Sequence, residues 1–553
     1  MTTRPRSAWL AALVIVIVVV WFANLDARRL IRPDEGRYGE IAREMAATGD
    51  WVTPRLNGLK YFEKPPLQYW VTAAAFRVFG PDEWTARWWP ATSGALCVLL
   101  VWFTGRRTLG RPAGDYAGLV CVSMLWTVAN GHLNTLDMGL TFFLTGALCA
   151  FLIAEHPDTS RAARGRWVLL AWVACAGAVL SKGLVGLVLP GGAIAGYVLV
   201  TRDWAMLRRI RLLPGLAILL ALCAPWFVAV SVANPEFPDF FFVREHFQRY
   251  LTPVHRRSEP WWFFLPLLVA GTLPWTLLAG RAVFDAARDE RHSAEGSRRV
   301  LLLAWSAFVV LFFSASSSKL PSYILPVFPA LAWLMGESLA RMPPRRLFWH
   351  AVPLLPIAVA AFVLGLRADR YANDRTPVEL YQAFEPWILG AASVMFVGAI
   401  IAAVAARRGN RAVAAIAIGL AGLGSWQLAI TGHDALSPSF SSHRFTTQLK
   451  TPLRADCPLY SLRTYDQTLP FYLGRTTTLV AYADEMAFGL EREPHLGIPD
   501  MRDFIARWNS PACAYAFMEP VTFDEMTRES LPMRVLARDT RRVLVANPAI
   551  PEP

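Results

Sequence analysis

The stretch WLAALVIVIVVVWFANLDARRLIRPDEGRYGEIAREM, Trp9 to Met45, changes character within a few residues. Its first part is almost wholly apolar. Its second part carries Arg28, Arg29, Arg32, Asp34, Glu35 and Arg37. The run from Trp9 to Phe22 follows Arg4 and Arg6, as the core of a signal peptide would. No small-residue cleavage site comes after it, and basic residues, Arg28, Arg29 and Arg32, follow soon after. It therefore reads as an uncleaved first membrane helix with its N-terminus inside, followed by a polar loop on the outer side.

The composition agrees with a membrane chain. Of 553 residues, 54% are hydrophobic and only 18% charged, with 22 Trp and 32 Phe, and mean hydropathy is +0.34. A soluble globular protein carries about 25% charged residues. Further apolar runs cover 88–105, 113–130, 137–155, 167–181, 184–200, 212–232, 261–280, 299–316, 323–340, 349–366, 386–405 and 412–430. With the first run they predict a mainly α polytopic protein of about thirteen spans, several of them shorter than the ~20 residues a span needs.

Charge gives the topology. Arginines gather in alternate loops: Arg106, Arg107 and Arg111; Arg161, Arg164 and Arg166; Arg202 to Arg211; Arg281 to Arg299; Arg341, Arg345 and Arg346; Arg407, Arg408 and Arg411. That alternation places these loops in the cytoplasm and the C-terminus outside. The net charge of +13 is thus a matter of topology and lipid headgroups. Nucleic-acid binding is not expected, because the cations are scattered through short loops.

Residues 433–553 differ from the spans. Apolar runs shrink to strand length in PLYSL (458–462), TTTLVAY (476–482), ACAYAF (512–517) and RRVLVAN (541–547), with helix-like MRDFIARW (501–508) between them. This predicts a small α/β domain on the outer face, after a membrane domain over 1–432. None of the seven cysteines stands in a CxxC pair. Cys457 and Cys513 fall in the polar domain, where an oxidising compartment would let them form a disulfide.

Two outer loops, 25–87 and 233–260, hold most of the unusual polar residues. In the first, Tyr38, Ile41 and Met45 recur at helical spacing with charges opposite, the pattern of an amphipathic helix lying on a surface. Asp34 and Glu35 precede it, so they either face a site or include one simple N-cap. Next, DWVTPRLNGLKYFEKPPLQYW (50–70) brings Lys60, Tyr61, Glu63 and Lys64 up to a Pro-Pro pair that forbids helix. Lysine with tyrosine suits a phosphate; an interfacial belt of snorkelling side chains is the simpler reading.

The second loop mixes aromatics with Arg244, Glu245, His246, Arg249 and His255. His246 is either a hydrogen-bonding group or, with Glu63, a ligand to a divalent metal ion; no other cofactor is implied. Asp137, Lys182, Lys319 and Tyr323 interrupt span ends on the same side. Ionisable groups at such depth cost about 3 kcal/mol or more unless paired, and so mark function by default. At least four of the five lysines converge on the outer face.

This set suits a transferase that uses a lipid-phosphate donor. No Walker loop and no GxGxxG after a strand is present. The stretch RPDEGRYGEIAREMAATGDWVTPRLNGLKYFEKPPLQYW (32–70), with SKG (181–183) and SSSKLPSYILP (316–326), resembles the lipid A aminoarabinose transferases (ArnT). These belong to the GT-C superfamily together with protein O-mannosyltransferases.

The resemblance implies a bacterial inner-membrane enzyme with its site and C-terminal domain facing the periplasm. It implies transfer of 4-amino-4-deoxy-L-arabinose from undecaprenyl phosphate to lipid A phosphates, giving resistance to polymyxin-type peptides. The partners are then the lipid-linked donor, lipid A and the bilayer, with the chain a monomer. Asp34 is the leading catalytic candidate, with Asp137 second. Lys64, Arg249, Tyr323 and Lys319 are assigned to the carrier phosphate. Glu35, Arg37, Tyr38, Lys60, Tyr61 and Lys182 are assigned to the cavity, and Glu63 and His246 to the metal alternative. Transfer of another sugar to lipid A, or of mannose to protein hydroxyls, stays open. A lipid transporter is disfavoured, because no repeat-related halves are visible.

Overall fold

The computed structural model of this chain describes residues 4–248, 259–288 and 294–550. All thirteen apolar runs are helical. Only seven of the described helices are long and apolar enough to cross a membrane alone, or eight if the pair Phe264–Gly271 and Thr276–Arg288, bent by 110°, is one span. The count therefore falls short of thirteen, for local reasons. The run at 113–130 breaks at Met124 into α5 (Arg111–Ser123) and α6 (Leu125–Gly131). The helix Val327–Arg341 has 15 residues. Helix α4 (Glu83–Thr108) carries Glu83, Arg87, Arg106 and Arg107.

The helix α1 (Arg4–Phe22) shows how these elements meet lipid and neighbour at once. Val14, Ile15, Val18 and Val19 are each at least half exposed, which only a bilayer makes favourable. Trp21 is buried, and its indole N–H donates to the Ala91 carbonyl at 2.9 Å.

The polar loop after α1 forms α2 (Asp34–Thr48), a hairpin of β1 (Arg55–Leu56) and β2 (Leu59–Lys60), and α3 (Leu67–Phe79). Acidic Asp34 and Glu35 sit in the first turn of α2, where the helix dipole favours them. Gly49 ends the helix at φ 75°. Asn57 and Gly58, at φ 56° and 79°, make the two-residue hairpin turn.

Helix α2 does not lie on an open surface as its periodicity predicts. Arg37, Tyr38, Glu40, Ile41, Glu44 and Met45 are all buried. The reason is the C-terminal domain, which covers the polar face. Gly36 is placed so that a Cβ there would lie 2.7 Å from the Gln467 backbone. The Asn57 amide exchanges hydrogen bonds with Thr477, donating to its carbonyl and accepting from its N–H, both at 2.7 Å.

That domain is an α/β unit as expected. Its six strands are β3 (Leu459–Leu462), β4 (Thr478–Val480), β5 (Gly497–Ile498), β6 (Tyr515–Met518), β7 (Arg534–Arg538) and β8 (Val543–Ala546), in the order β5-β4-β3-β6-β8-β7. Strands β5, β4, β3 and β6 run parallel, while β8 is antiparallel to β6 and β7. The central strands β3, β6 and β8 are buried at every residue, which fits their continuous apolar runs. Cys457 and Cys513 are joined in a disulfide across 56 residues. Closing a loop of that length is worth about 4 kcal/mol in the chain-entropy account. Cys457→Ser/Cys513→Ser is accordingly expected to lower the melting temperature, and an unshifted melt would show that packing alone holds the domain.

Candidate active site

Asp34 and Glu35 are neighbours in sequence but point about 100° apart on α2. Glu35 is 1% exposed. Its carboxylate accepts from Arg28 at 2.9 Å, from Arg87 at 2.7 and 3.0 Å, and from the backbone N–H groups of Ile31 and Asn134, each at 3.1 Å. Burial pushes this carboxyl upward, but Arg28 and Arg87 outweigh it and hold the group at about 2. Glu35 therefore does not face a cavity; it ties the first loop to α4 and to the turn before α7 (Leu136–Ala154).

Asp34 is different: its side chain is 42% exposed, and it pairs with Arg37 at 2.9 Å. Arg37 also reaches Glu485 of the C-terminal domain at 2.5 Å. Around this trio stand Tyr38, Tyr61, Glu63 and Tyr69. The rings of Tyr38 and Tyr69 are 6.1 Å apart. Burial raises both phenols, and the charges of Asp34 and Glu63 push the same way. Burial likewise raises Tyr61, with Glu63 and Glu485 adding to it. All three are thus neutral O–H donors near pH 7. The hydroxyls of Tyr61 and Tyr69 are buried and have no hydrogen-bond partner among the described residues. A buried donor without a partner is uncommon in a folded protein and calls for a ligand or water.

The other predicted residues form three groups. The Lys64 ammonium donates to the Glu63 carbonyl at 2.8 Å and lies 3.7 Å from the Glu245 carboxylate, so the two outer loops meet there. Lys182, at the end of α8 (Arg161–Lys182), is ion-paired with Asp137 and sits 4.6 Å from the centre of the Tyr323 ring. Leu136, next to Asp137, packs in the same apolar cluster as Tyr38, Tyr61 and Tyr69. Lys60 pairs with Glu236 at 2.7 Å, and Lys319 donates to the Ser316 carbonyl at 2.7 Å. The first of these bonds joins the two outer loops again, and the second is a local tie of its own loop.

Arg249 and His255 lie outside the described residues, as does the side chain of His246. Among the described residues the one set of three His, Cys or carboxylate ligand atoms close enough for a metal is Asp456, Cys457 and Cys513. Its sulfurs are joined to each other. Glu63 lies among cations and tyrosines, 3.9 Å from Lys64. Glu63 belongs to no set of three such ligand atoms among the described residues, and the side chain of its expected partner, His246, lies outside them.

Glu485 and Tyr69 escaped the sequence reading. Glu485 lies in the stretch YADEMAFGL (482–490), whose pattern gives no sign of a site. Tyr69 sits in an aromatic belt that reads as interfacial. Only packing of the C-terminal domain on α2 brings Glu485 to Arg37.

Comparison with known proteins bears on this arrangement. Residues 7–241 match the dolichyl-phosphate-mannose-protein mannosyltransferase family, and residues 445–547 match the aminoarabinose transferase C-terminal domain. An undecaprenyl phosphate-α-4-amino-4-deoxy-L-arabinose arabinosyl transferase of Aeromonas salmonicida is 36% identical over 328 residues, 59% of each chain. One of Pseudomonas fluorescens is 33% identical over 72% of this chain and 69% of that protein. Alignment with the first curated relatives thus spans a little under two thirds of their length. The crystal structure of ArnT from Cupriavidus metallidurans bound to undecaprenyl phosphate is similar over 98% of both chains, with 39% identity and TM-score 0.93. The Archaeoglobus fulgidus oligosaccharyltransferase AglB, at 12% identity and TM-score 0.51, shares the fold.

Proposed function

The chain belongs to the aminoarabinose transferase family of the GT-C superfamily, and from that membership we propose that it moves 4-amino-4-deoxy-L-arabinose from undecaprenyl phosphate to a lipid A phosphate. The cluster of Asp34, Arg37, Tyr61 and Tyr69, with two buried tyrosine hydroxyls left to donate and Lys64 beside the neighbouring Glu63, is the observation that supports this reading. In this reading all thirteen helical runs cross the bacterial inner membrane. The site and the sheet domain then face the periplasm, and the chain acts as a monomer.

The acceptor oxygen of a phosphate monoester is already anionic near pH 7. It attacks C1 of the sugar, a new C–O bond forms, and the bond from C1 to the carrier phosphate breaks. The electron pair leaves on undecaprenyl phosphate, and the sugar configuration inverts. No proton has to move, so Asp34 serves to orient the sugar rather than to act as a strong base. Lys64, joined by Arg249, stabilises the charge on the leaving phosphate, an effect strengthened where water is excluded. Asp137 positions Lys182 beside Tyr323, and Lys319 shapes the turn that carries Tyr323. The transferred amine lowers the negative charge of lipid A and weakens its attraction for cationic peptides such as polymyxin.

Deleting the gene and weighing lipid A by mass spectrometry tests the activity; lipid A unchanged under inducing conditions would defeat it. Lys64→Ala is expected to lower turnover by about 10²- to 10³-fold with the fold retained. A Lys64→Ala enzyme with normal turnover would remove the phosphate assignment while leaving the activity itself standing.

A further inference from the structure

A polar cavity of about 150 Å³ lies at the far end of the helices from the candidate active site. Helix α4 gives the separation. It starts beside Arg87, which bonds Glu35, and ends at Thr108, whose carbonyl accepts from Arg298 at 2.9 Å. Its 26 residues span about 39 Å.

Among the described residues, four arginines and two carboxylates line this cavity: Arg281, Arg299, Arg341 and Arg346 with Asp285 and Glu337. They leave a surplus of two positive charges. Glu337 cannot neutralise a further cation. It already accepts from Arg299 at 2.9 and 3.0 Å, from Arg298 at 3.0 Å and from Arg341 at 3.1 Å. It acts as the hub that fixes guanidinium groups around the opening. Arg281 faces Asp285 at 3.3 Å, with the two side chains 40% and 47% exposed, and such a pair is weak. Its guanidinium is thus available to a stronger acceptor. The helices that supply Arg281 and Arg346 also carry exposed aromatics: Phe284, three residues after Arg281, and Trp349, three residues after Arg346, are 53% and 69% exposed. Exposed tryptophan beside arginine is the pattern of a membrane interface.

We infer that this cavity is a headgroup site for an anionic phospholipid of the opposite leaflet, with charge matched to a two-phosphate lipid of the cardiolipin type. Arginine forks suit phosphodiester oxygens, and basic pockets between membrane helices hold such headgroups. The exposed Phe284 and Trp349 on the same two helices suit acyl chains, which a soluble anion would not use. A merely diffuse positive surface would show no dependence on which arginines are present.

The test uses the full chain in lipid-free detergent, with added tetraoleoyl cardiolipin, dioleoylphosphatidylglycerol, dioleoylphosphatidylcholine or inorganic phosphate. Retained lipid is read by native mass spectrometry and stability by thermal melting. Cardiolipin is expected to bind at least about tenfold tighter than phosphatidylglycerol. Arg281→Ala/Arg346→Ala should weaken it about thirtyfold and leave the lipid-free melting temperature unchanged, since neither side chain holds Glu337. The control Arg107→Ala/Arg166→Ala removes the same charge from other loops and should leave cardiolipin binding intact. Equal weakening by both double variants would overturn the site, as would failure to retain cardiolipin. Stabilisation by inorganic phosphate equal to that by cardiolipin would overturn the lipid and assign the cavity to a free anion.

Discussion

Glu35→Ala is expected to destabilise the protein by about 3–5 kcal/mol, the cost of breaking a buried ion pair by removing one partner. The carboxylate is 1% exposed and faces two arginines, Arg28 at 2% and Arg87 at 1%. Without it, two guanidinium groups stay buried with only the more distant Asp434 and Glu83 to offset their charge. The proton linkage gives a consistent magnitude. Lowering a carboxyl from 4.5 to about 2 corresponds to about 3 kcal/mol of stability. The sign follows from the direction. The folded value lies below the unfolded one, so this stability is fully present above about pH 5 and is lost as the pH falls toward 2. Glu35→Gln should lose the same pH-dependent part while keeping some hydrogen bonds. Thermal melts of wild type and Glu35→Gln between pH 7 and pH 3 check this; parallel curves would show that Glu35 is not the anchor its contacts indicate.

Asp34→Asn is expected to do the opposite: leave the melting temperature nearly unchanged and lower transfer by about 10²- to 10³-fold. The side chain is 42% exposed and pairs with Arg37, so its contribution to stability is at most about 1 kcal/mol. Arg37 keeps Glu485 as a partner at 2.5 Å. If Asp34 orients the sugar, Asn retains a hydrogen-bonding oxygen without the charge, and the loss falls mainly on kcat. Asp34→Ala should lose more than Asp34→Asn. Measuring turnover and melting on the same preparations separates the two acids, and a destabilised Asp34→Asn with normal turnover per folded molecule would reverse their roles.

Much of this molecule was legible in one dimension. Apolar runs become helices because backbone polar groups in a bilayer must bond within their own segment, and every predicted run is helical. The strand-length runs of the C-terminal domain became β3, β4, β6 and β8. Both kinds of signal are local and repeat at short period. Asp137 and Lys182 stand out in the sequence because charges beside apolar runs are costly, and the structure pairs them with each other.

What tertiary structure alone decided is which acid does what. Sequence offers Asp34 and Glu35 as a matched pair. Arg87, 52 residues from Glu35, and the C-terminal Glu485 decide between them. One acid is drawn into the interior and spent on holding loop to helix, and the other is left partly exposed beside Arg37. The distinction cannot be local, because the energy of a buried charge depends on which cations the fold brings within a few ångströms and how much water it removes. The covering of α2 has the same origin. Its periodicity records an apolar face, but only the docked sheet domain, with Gly36 against Gln467 and Asn57 against Thr477, turns the polar face into the roof of a site.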